Sequence, residues 1–181
     1  MRNLIIGGAL IAGVAFGFGG ITAPRGSQTE PMAIPKAAPG KSETAPRPIK
    51  ENVVAYHTGD ADMIAAKAKA RKTLPRFGEL IRKKTPGTYT IKFPLTQNGE
   101  TEHIWMQLTG RKDGKFVGLL ANKPVNGNQY RMGDKVEVAE ADVEDWMVNG
   151  PEGIYGGYTA RVMLKDMPKE QAEALKAKFK D

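Results

Sequence analysis

Few of the side chains that usually carry catalysis occur after position 50. The chain has no cysteine, and its only serines are Ser27 and Ser42. The two histidines, His57 and His103, stand far apart and in no HExxH pattern. A Ser–His or Cys–His couple is therefore excluded from the C-terminal part, and so is a cysteine-based zinc site. A phosphate-binding loop and a dinucleotide fingerprint are also missing, so we predict no cofactor and no metal.

Two carboxyl groups acting as acid and base remain possible. The candidates are Glu102, Asp142, Glu144 and Asp145. Such pairs hydrolyse glycosidic bonds, and a nearby imidazole can take part in the proton transfer. The sequence thus leaves open an envelope hydrolase acting on wall polymer, in which Glu102 or Asp145 works beside His103.

One candidate ligand surface begins at Glu102. His103 and Trp105 follow at alternate positions and so lie on one face of a predicted strand. If that face is uncovered, an aromatic ring beside a titratable imidazole forms a ligand platform. If a helix covers it, Trp105 belongs to the core. Both alternatives are compatible with the sequence.

Two further places carry candidate residues. Asp145 and Trp146 fall on a predicted short helix, from which Trp146 packs into the core. Gly156 and Gly157 precede a predicted strand that carries Arg161, and glycines there either let backbone amides approach an anion or make a tight turn. The complete predicted ligand or partner surface comprises Glu102, His103, Trp105, Asp145, Trp146, Gly156, Gly157, Thr159 and Arg161.

Hydrophobic periodicity predicts the elements that position these residues. Asp60 is a suitable N-cap for a helix that continues, with a restart at Pro75, as far as Thr85–Gly87. Alternating apolar residues predict a strand over 88–95, and Asn98-Gly99 predicts a tight hairpin into a second strand.

The later elements are predicted in the same way. In chain order they are a turn at Asp113-Gly114, a strand over Phe116–Leu120, a short strand over Val136–Val138, a short helix over Val143–Met147, a strand over Tyr158–Leu164 and a helix from Asp166 to Phe179. The layout predicts the α+β class, with an antiparallel sheet of about four to five strands packed with helices.

Residues 1–23 are predicted to form a hydrophobic helix that serves as a membrane anchor or a signal segment. The run over residues 4–23 has no charge and is long enough to span a bilayer. Cleavage after Ala23 would place Pro24 first in the mature chain, which favours an uncleaved inner-membrane anchor over a secreted periplasmic protein. The short N-terminal flank places the rest of the chain in the periplasm.

The remainder divides into a linker and one domain. Residues 24–50 are rich in proline and small residues and predict an extended spacer. Residues 51–181 contain both tryptophans, all five tyrosines and four of the six phenylalanines. This segment therefore predicts a single globular domain with one core.

The net charge of +7 is unevenly distributed. Residues 1–50 carry six Lys/Arg and two acids (+4), and residues 51–181 carry 21 Lys/Arg and 18 acids (+3), so the near-balanced domain gives no indication of specific nucleic-acid binding. Cations crowd one stretch, with Lys67, Lys69, Arg71, Lys72, Arg76, Arg82, Lys83 and Lys84. Acids crowd another, with Asp134, Glu137, Glu140, Asp142, Glu144 and Asp145. The two stretches are either solvated helix faces or a bipolar surface that docks an oppositely charged partner.

The order of several segments resembles the YegJ-like family of bacterial domains of unknown function. The segments that carry the resemblance are Ala70–Pro75, Glu102–Met106, Gly114–Pro124, Gly133–Val136, Asp145–Met147 and Gly156–Val162. They cover about residues 60–165. The resemblance implies a bacterial origin and a compact α+β domain, and it names no catalytic residue.

Taken together, the tether, the missing nucleophiles and the segregated charges predict a binding or interaction domain displayed at the cell envelope. Its partner would be a protein or an envelope ligand. The hydrolase is the first alternative, and an immunity-type protein that docks a toxin through Asp142–Asp145 is the second. A cleft that holds His103 with two carboxylates would favour the enzyme, whereas a convex surface would favour binding.

Overall fold

The computed structural model of the chain describes residues 4–7, 54–57 and 59–180, the first two ranges by their backbone alone. Its strands are β1 (Leu4–Gly7), β2 (Val54–His57), β3 (Thr88–Gln97), β4 (Glu100–Lys112), β5 (Lys115–Leu120), β6 (Lys135–Val138), β7 (Asp145–Gly150), β8 (Gly153–Gly156) and β9 (Phe179–Lys180). Its α-helices are α1 (Ala61–Arg82), α2 (Tyr158–Met163) and α3 (Lys169–Lys176), and 3₁₀ turns span Glu140–Asp142 and Leu164–Asp166.

The strands form one nine-stranded sheet in the order β2-β1-β4-β3-β7-β8-β9, with β5 and then β6 beside the second half of β4. The α+β class is confirmed. The predicted count of four to five strands is too low, because the short strands β1, β2, β8 and β9 carry little periodicity of their own. The sheet is also mixed rather than antiparallel, since β1 pairs with β4, and β8 with β9, in parallel.

Two tight turns connect the central hairpins as predicted. Asn98 and Gly99 join β3 to β4 with φ angles of 51° and 78°, and Asp113 and Gly114 join β4 to β5 with φ angles of 50° and 77°. Two successive left-handed residues match the twist of the flanking strands, and Asn-Gly and Asp-Gly adopt this conformation readily. The register of the sheet centre is thus encoded locally.

The predicted helix over Val143–Met147 is wrong. Only the turn Glu140–Asp142 is helical, and Asp145–Gly150 forms β7, which pairs with β3. The helical spacing of the apolar residues misled the prediction because both faces of β7 are buried, so its residues do not alternate between apolar and polar.

The predicted strand over Tyr158–Leu164 is also wrong, because Tyr158–Met163 form the helix α2. Gly157, in the left-handed conformation with φ 65°, redirects the chain. The Asp145 carboxylate then accepts the first amides of the helix, from Tyr158 at 3.2 Å and Thr159 at 2.8 Å. A cap supplied from 13 residues away leaves no local sequence signal.

Helix α1 begins where the sequence predicts, with the Asp60 Oδ1 atom accepting the Met63 amide at 2.9 Å. It does not restart at Pro75 but passes through it as one helix. The closing helix is shorter than predicted, since α3 ends at Lys176 and Phe179–Lys180 return to the sheet as β9.

The predicted N-terminal helix finds no support in the described residues. Leu4–Gly7 run as the strand β1, and the rest of the segment to residue 23, like the linker over 24–50, lies outside the described residues. None of the helices described has both the length and the apolar character that crossing a bilayer demands.

The apolar core lies between α1 and one face of the sheet. Ile91, Met106 and Trp146 stand in register across β3, β4 and β7, and each of them is 0 % exposed. The Trp146 indole Nε1 donates to the Ala70 carbonyl at 3.1 Å, and its ring lies 5.4 Å from that of Phe77. These contacts fasten α1 to the centre of the sheet.

The opposite face of the same three strands is buried as well. Because side chains alternate along a strand, Lys92, Trp105 and Asp145 lie on the sheet face opposite Ile91, Met106 and Trp146. Their exposures are nevertheless only 2 %, 4 % and 0 %. Trp105 therefore does not offer an exposed aromatic plate. The sheet is covered on both sides at its centre.

We expect the Trp105→Ala variant to lose about 3–5 kcal/mol of unfolding free energy, because a large buried ring leaves a cavity behind. Urea denaturation measures the loss. Leu119→Ala, at a position that is 41 % exposed, serves as the control and should cost less than about 1 kcal/mol. A similarly small cost for Trp105→Ala would contradict the burial and restore the ligand platform.

Candidate functional site

Six polar residues gather where β3, β4 and β7 meet α1 and α2. They are Lys67, Lys92, His103, Glu144, Asp145 and Thr159. We call this group the buried polar cluster. It is continuous, because the Lys92 ammonium lies within the electrostatic reach of both carboxylates and of the Lys67 ammonium.

Asp145 is the best-connected member of the cluster. Its carboxylate accepts the Trp146 amide at 2.8 Å, the Tyr158 amide at 3.2 Å, the Thr159 amide at 2.8 Å and the Thr159 hydroxyl at 2.7 Å. Complete burial raises the pKa of Asp145, while the bonds from Thr159 and the charge of Lys92 act against that rise. Its carboxylate thus joins β7 to the start of α2.

Lys92 lies beside this carboxylate on the central strand. Its ammonium donates to the Thr159 hydroxyl at 3.5 Å and stands 5.8 Å from the centre of the Trp105 ring. Burial lowers the pKa of Lys92 to about 8, even though Asp145 and Glu144 favour its charged form. Burial therefore destabilises the charged form of this lysine, and the nearby carboxylates of Asp145 and Glu144 partly offset that cost.

Glu144, His103 and Lys67 form the second half of the cluster. Glu144 Oε2 accepts a short hydrogen bond from His103 Nδ1, and Glu144 Oε1 accepts the Lys67 ammonium at 2.9 Å. Burial alone would raise the pKa of Glu144, but the hydrogen bonds and charges of His103 and Lys67 together hold it below its ordinary value. The carboxylate is therefore ionised at neutral pH.

The other ring nitrogen of His103 faces outward. No hydrogen bond among the described residues uses Nε2, and every buried side-chain nitrogen or oxygen atom in this part of the chain has a partner. Because the residue is still 8 % exposed, Nε2 is where the imidazole meets solvent. A carboxylate on Nδ1 with a free Nε2 is an arrangement that can move a proton.

Glu102 does not join His103 in the cluster. Its side chain, 4 % exposed, accepts the amides of Val125 at 3.1 Å and Asn126 at 3.4 Å and a bond from Gln97 Nε2 at 3.4 Å. It thereby holds the loop that follows β5. The carboxylate that contacts His103 is Glu144, and neither Glu102 nor Asp145 does so.

Gly156 and Gly157 serve close packing. A Cβ atom at Gly156 would lie 2.2 Å from the Trp146 carbonyl oxygen, and the Gly157 amide donates to that oxygen at 2.7 Å. Arg161 donates from Nε to the Gly156 carbonyl at 3.1 Å and from Nη2 to the Lys180 carbonyl at 2.8 Å. These groups tie the turn and the C-terminal strand together.

The acidic stretch is divided between surface and interior. Asp142 is exposed, whereas Glu144 and Asp145 are 8 % and 0 % exposed. A toxin docked on Asp142–Asp145 would therefore contact only the first of these carboxylates. The immunity-type interpretation loses most of the surface on which it was based.

A cleft lies away from the cluster, between the end of α2 and α3. It is lined by Arg161, Leu164, Lys165, Ala172, Glu173, Lys176 and Phe179. No member of the buried polar cluster, His103 included, lines this cleft. Among the described residues no three His, Asp or Glu side chains are placed to share a metal ion.

Lys67 and Lys92 were not among the predicted site residues, and Glu144 was predicted only as one of four candidate acid–base carboxylates. Lys92 stands between the buried residues Ile91 and Phe93 and reads as the polar side of an amphipathic strand. Its burial follows from the cover on both faces, which local sequence does not report. The signal that could have identified it is the combination of a lysine on the central strand with two adjacent acids, Glu144 just before β7 and Asp145 at its first position.

The low pKa of Lys92 predicts a pH-dependent stability. Above about pH 8 the folded chain releases a proton that the unfolded chain keeps, so the unfolding free energy should rise with pH. Between about pH 8 and 9.5 we expect the wild type to gain ~1.5 kcal/mol relative to Lys92→Met. Urea denaturation at each pH measures this difference. Lys112→Met, an exposed control, should follow the wild type; parallel curves for the wild type and Lys92→Met would contradict the shift.

The larger part of the chain matches a known bacterial family. The family described as "Uncharacterized protein conserved in bacteria (DUF2314)" matches residues 60–179. The chain is 37 % identical over 110 residues to the uncharacterized protein YegJ of Escherichia coli (strain K12), which covers 61 % of this chain and 72 % of that protein.

A more distant relative is a putative ankyrin repeat protein of Neisseria meningitidis serogroup B. It is 33 % identical over 86 residues, which are 45 % of this chain and 34 % of that protein, so the similarity spans about a third of the relative. No solved structure matches the chain. The resemblance to the YegJ-like family seen in the sequence is confirmed, and the chain belongs to the DUF2314 family of bacterial proteins.

Proposed function

We propose that the chain is a non-enzymatic binding domain displayed at the bacterial cell envelope. The observation that carries this proposal is the closure of the half of the buried polar cluster that contains Asp145 and Lys92. The Asp145 carboxylate accepts hydrogen bonds from backbone amides of β7 and α2, and Lys92 is buried beside it with only 2 % exposure. Groups engaged in this way stabilise the domain and are not presented to a substrate.

The exposed surface is then the part of the domain that meets a partner. Its cations and acids are segregated along the chain. The cations cluster on α1, and Asp134, Glu137 and Glu140 lie just before, within and just after β6. Such a charge pattern guides association and selects partners by complementarity. Residues 4–7 form strand β1 of the sheet, so in a membrane-anchored chain they would leave β1 to become part of the predicted anchor over residues 4–23, and the linker over residues 24–50 would then keep this surface close to the membrane.

A reporter fused to the C-terminus of the full chain tests the location. A phosphatase that folds only in the periplasm should be active, and the fusion should sediment with the inner membrane, because a single N-terminal anchor would export the domain. Recovery of the active fusion in the soluble periplasmic fraction would remove the anchor but keep the export. Activity of a reporter that works only in the cytoplasm would contradict the proposal.

The outward Nε2 atom of His103 favours one rival, the hydrolase. In that reaction Nε2 would take a proton from water as the water oxygen attacks a glycosidic or acyl carbon, and Glu144 would stabilise the resulting imidazolium. The bond from that carbon to the leaving oxygen or nitrogen would break, and the imidazolium would return the proton to the leaving group. Purified full chain incubated with envelope polymers should show no turnover if the domain only binds. Turnover that falls at least a hundredfold in both His103→Gln and Glu144→Gln would establish the hydrolase instead.

A further inference from the structure

The solvent side of α1 carries a concentrated positive charge. Between residues 69 and 83 the helix and its C-cap, Lys83, hold six cations, and the one acid in this segment is Glu79, so the net charge of the segment is +5. We call the six the basic face of α1: Lys69, Arg71, Lys72, Arg76, Arg82 and Lys83. Because residues 51–181 total +3, the rest of that segment carries −2, and the excess is confined to this helix.

The packing of α1 leaves these cations on the solvent half of the helix, with Arg71 and Arg82 about 100° around the axis from Lys72 and Lys83. Ala70 and Phe77 turn inward to the core, at 1 % and 0 % exposure. Lys72 and Lys83, eleven residues apart, fall on nearly the same line of the helix, about 16 Å from each other along the axis. Both are exposed, and Ala68, also exposed, adds no bulk on that side. The basic face is therefore a long, low ridge.

Four of the six charges on this face are not neutralised by the part of the fold that the structure describes. Arg71, Lys72, Arg82 and Lys83 make no ion pair with any residue that the structure describes. Lys69 is steadied at the edge of the helix by the Tyr158 ring, 5.1 Å from its ammonium. A stacked cation keeps its charge and its hydrogen-bond donors for a partner.

We propose that the basic face of α1 binds the surface of an anionic lipid bilayer. The inference deepens the proposed function, because it names the envelope component that the domain contacts. Charge complementarity supports it: the face is a ridge of point charges, which suits a plane of phosphate headgroups. The chain order supports it too, since α1 is the first of the described helices after the predicted anchor, from which residues 24–60 separate it.

The size of the effect follows from the number of cations. Each Lys or Arg at an anionic membrane surface strengthens binding about fivefold, and salt screens the attraction. Removing four of the six should therefore weaken binding by roughly a hundredfold, allowing for incomplete contact. The same loss of charge elsewhere on the domain should change binding little.

The absence of cysteine makes the test direct, because one introduced thiol can be labelled alone. The full-length Ala68→Cys protein carries a fluorophore within the basic face, and vesicles contain a headgroup quencher. We expect quenching on vesicles with about 30 mol % phosphatidylglycerol in phosphatidylcholine, and its loss on pure phosphatidylcholine or in about 0.5 M salt. A label at Asn128→Cys, exposed in the loop after β5, should be quenched far less on every composition.

Two charge variants complete the experiment. Replacing Arg71, Lys72, Arg82 and Lys83 by Gln should shift the vesicle concentration for half-maximal quenching roughly a hundredfold upward. The matched control replaces four exposed lysines on other elements by Gln, namely Lys112, Lys115, Lys123 and Lys135. It loses the same charge and should bind within about threefold of the wild type.

The possible failures are distinct. Quenching at position 68 that is independent of phosphatidylglycerol, or equally weakened in both charge variants, would overturn lipid binding by α1. A chain still held on vesicles through residues 4–23 would then leave the envelope location intact and assign the face to an acidic protein. A cytoplasmic reporter result would overturn the envelope location, whatever the vesicles show.

Discussion

The fold depends on one buried carboxylate, that of Asp145. It lies on the central part of the sheet, fully buried, and accepts the Trp146, Tyr158 and Thr159 amides together with the Thr159 hydroxyl. These bonds start α2 and fix it against β7. They also bring the Thr159 hydroxyl to Lys92, whose ammonium is the nearby positive charge. A carboxylate that cannot reach water requires such partners, so the strand, the helix and the lysine must all be in place together.

The same constraint makes both faces of the sheet interior. The α1 side is apolar, with Ile91 and Trp146, while the other side holds Lys92 and Trp105 in the same registers. Breaking one member of a buried polar group leaves the others unpaired, which is costlier than losing an apolar contact of similar size. Such a group can therefore select one register of β3 against β7 as well as stabilise it.

Local chemistry made part of this fold predictable. The start of α1 could be predicted because Asp60 caps the helix. The Asn98-Gly99 turn could be predicted because these two residue types favour its left-handed conformation. The helix α2 and the strand β7 could not be predicted, because both depend on contacts between Asp145 and the residues 13 and 14 positions later. The same distinction applies to the site. His103 was predicted from its residue type, but its contact with Glu144 arises from the pairing of distant strands and could not be predicted.

The central claim is that Asp145 and Lys92 are closed within the fold, so the domain acts through its surface. Native-state hydrogen exchange of the Thr159 amide in Asp145→Ala, compared with Asp142→Ala three residues earlier, tests it most directly. The account predicts that Asp145→Ala lowers the unfolding free energy by about 3–5 kcal/mol and removes most protection from the Thr159 amide. The exposed Asp142→Ala should change neither by more than about 0.5 kcal/mol. Unchanged protection and stability in Asp145→Ala would show that the carboxylate is not required by the fold and is free to serve a reaction.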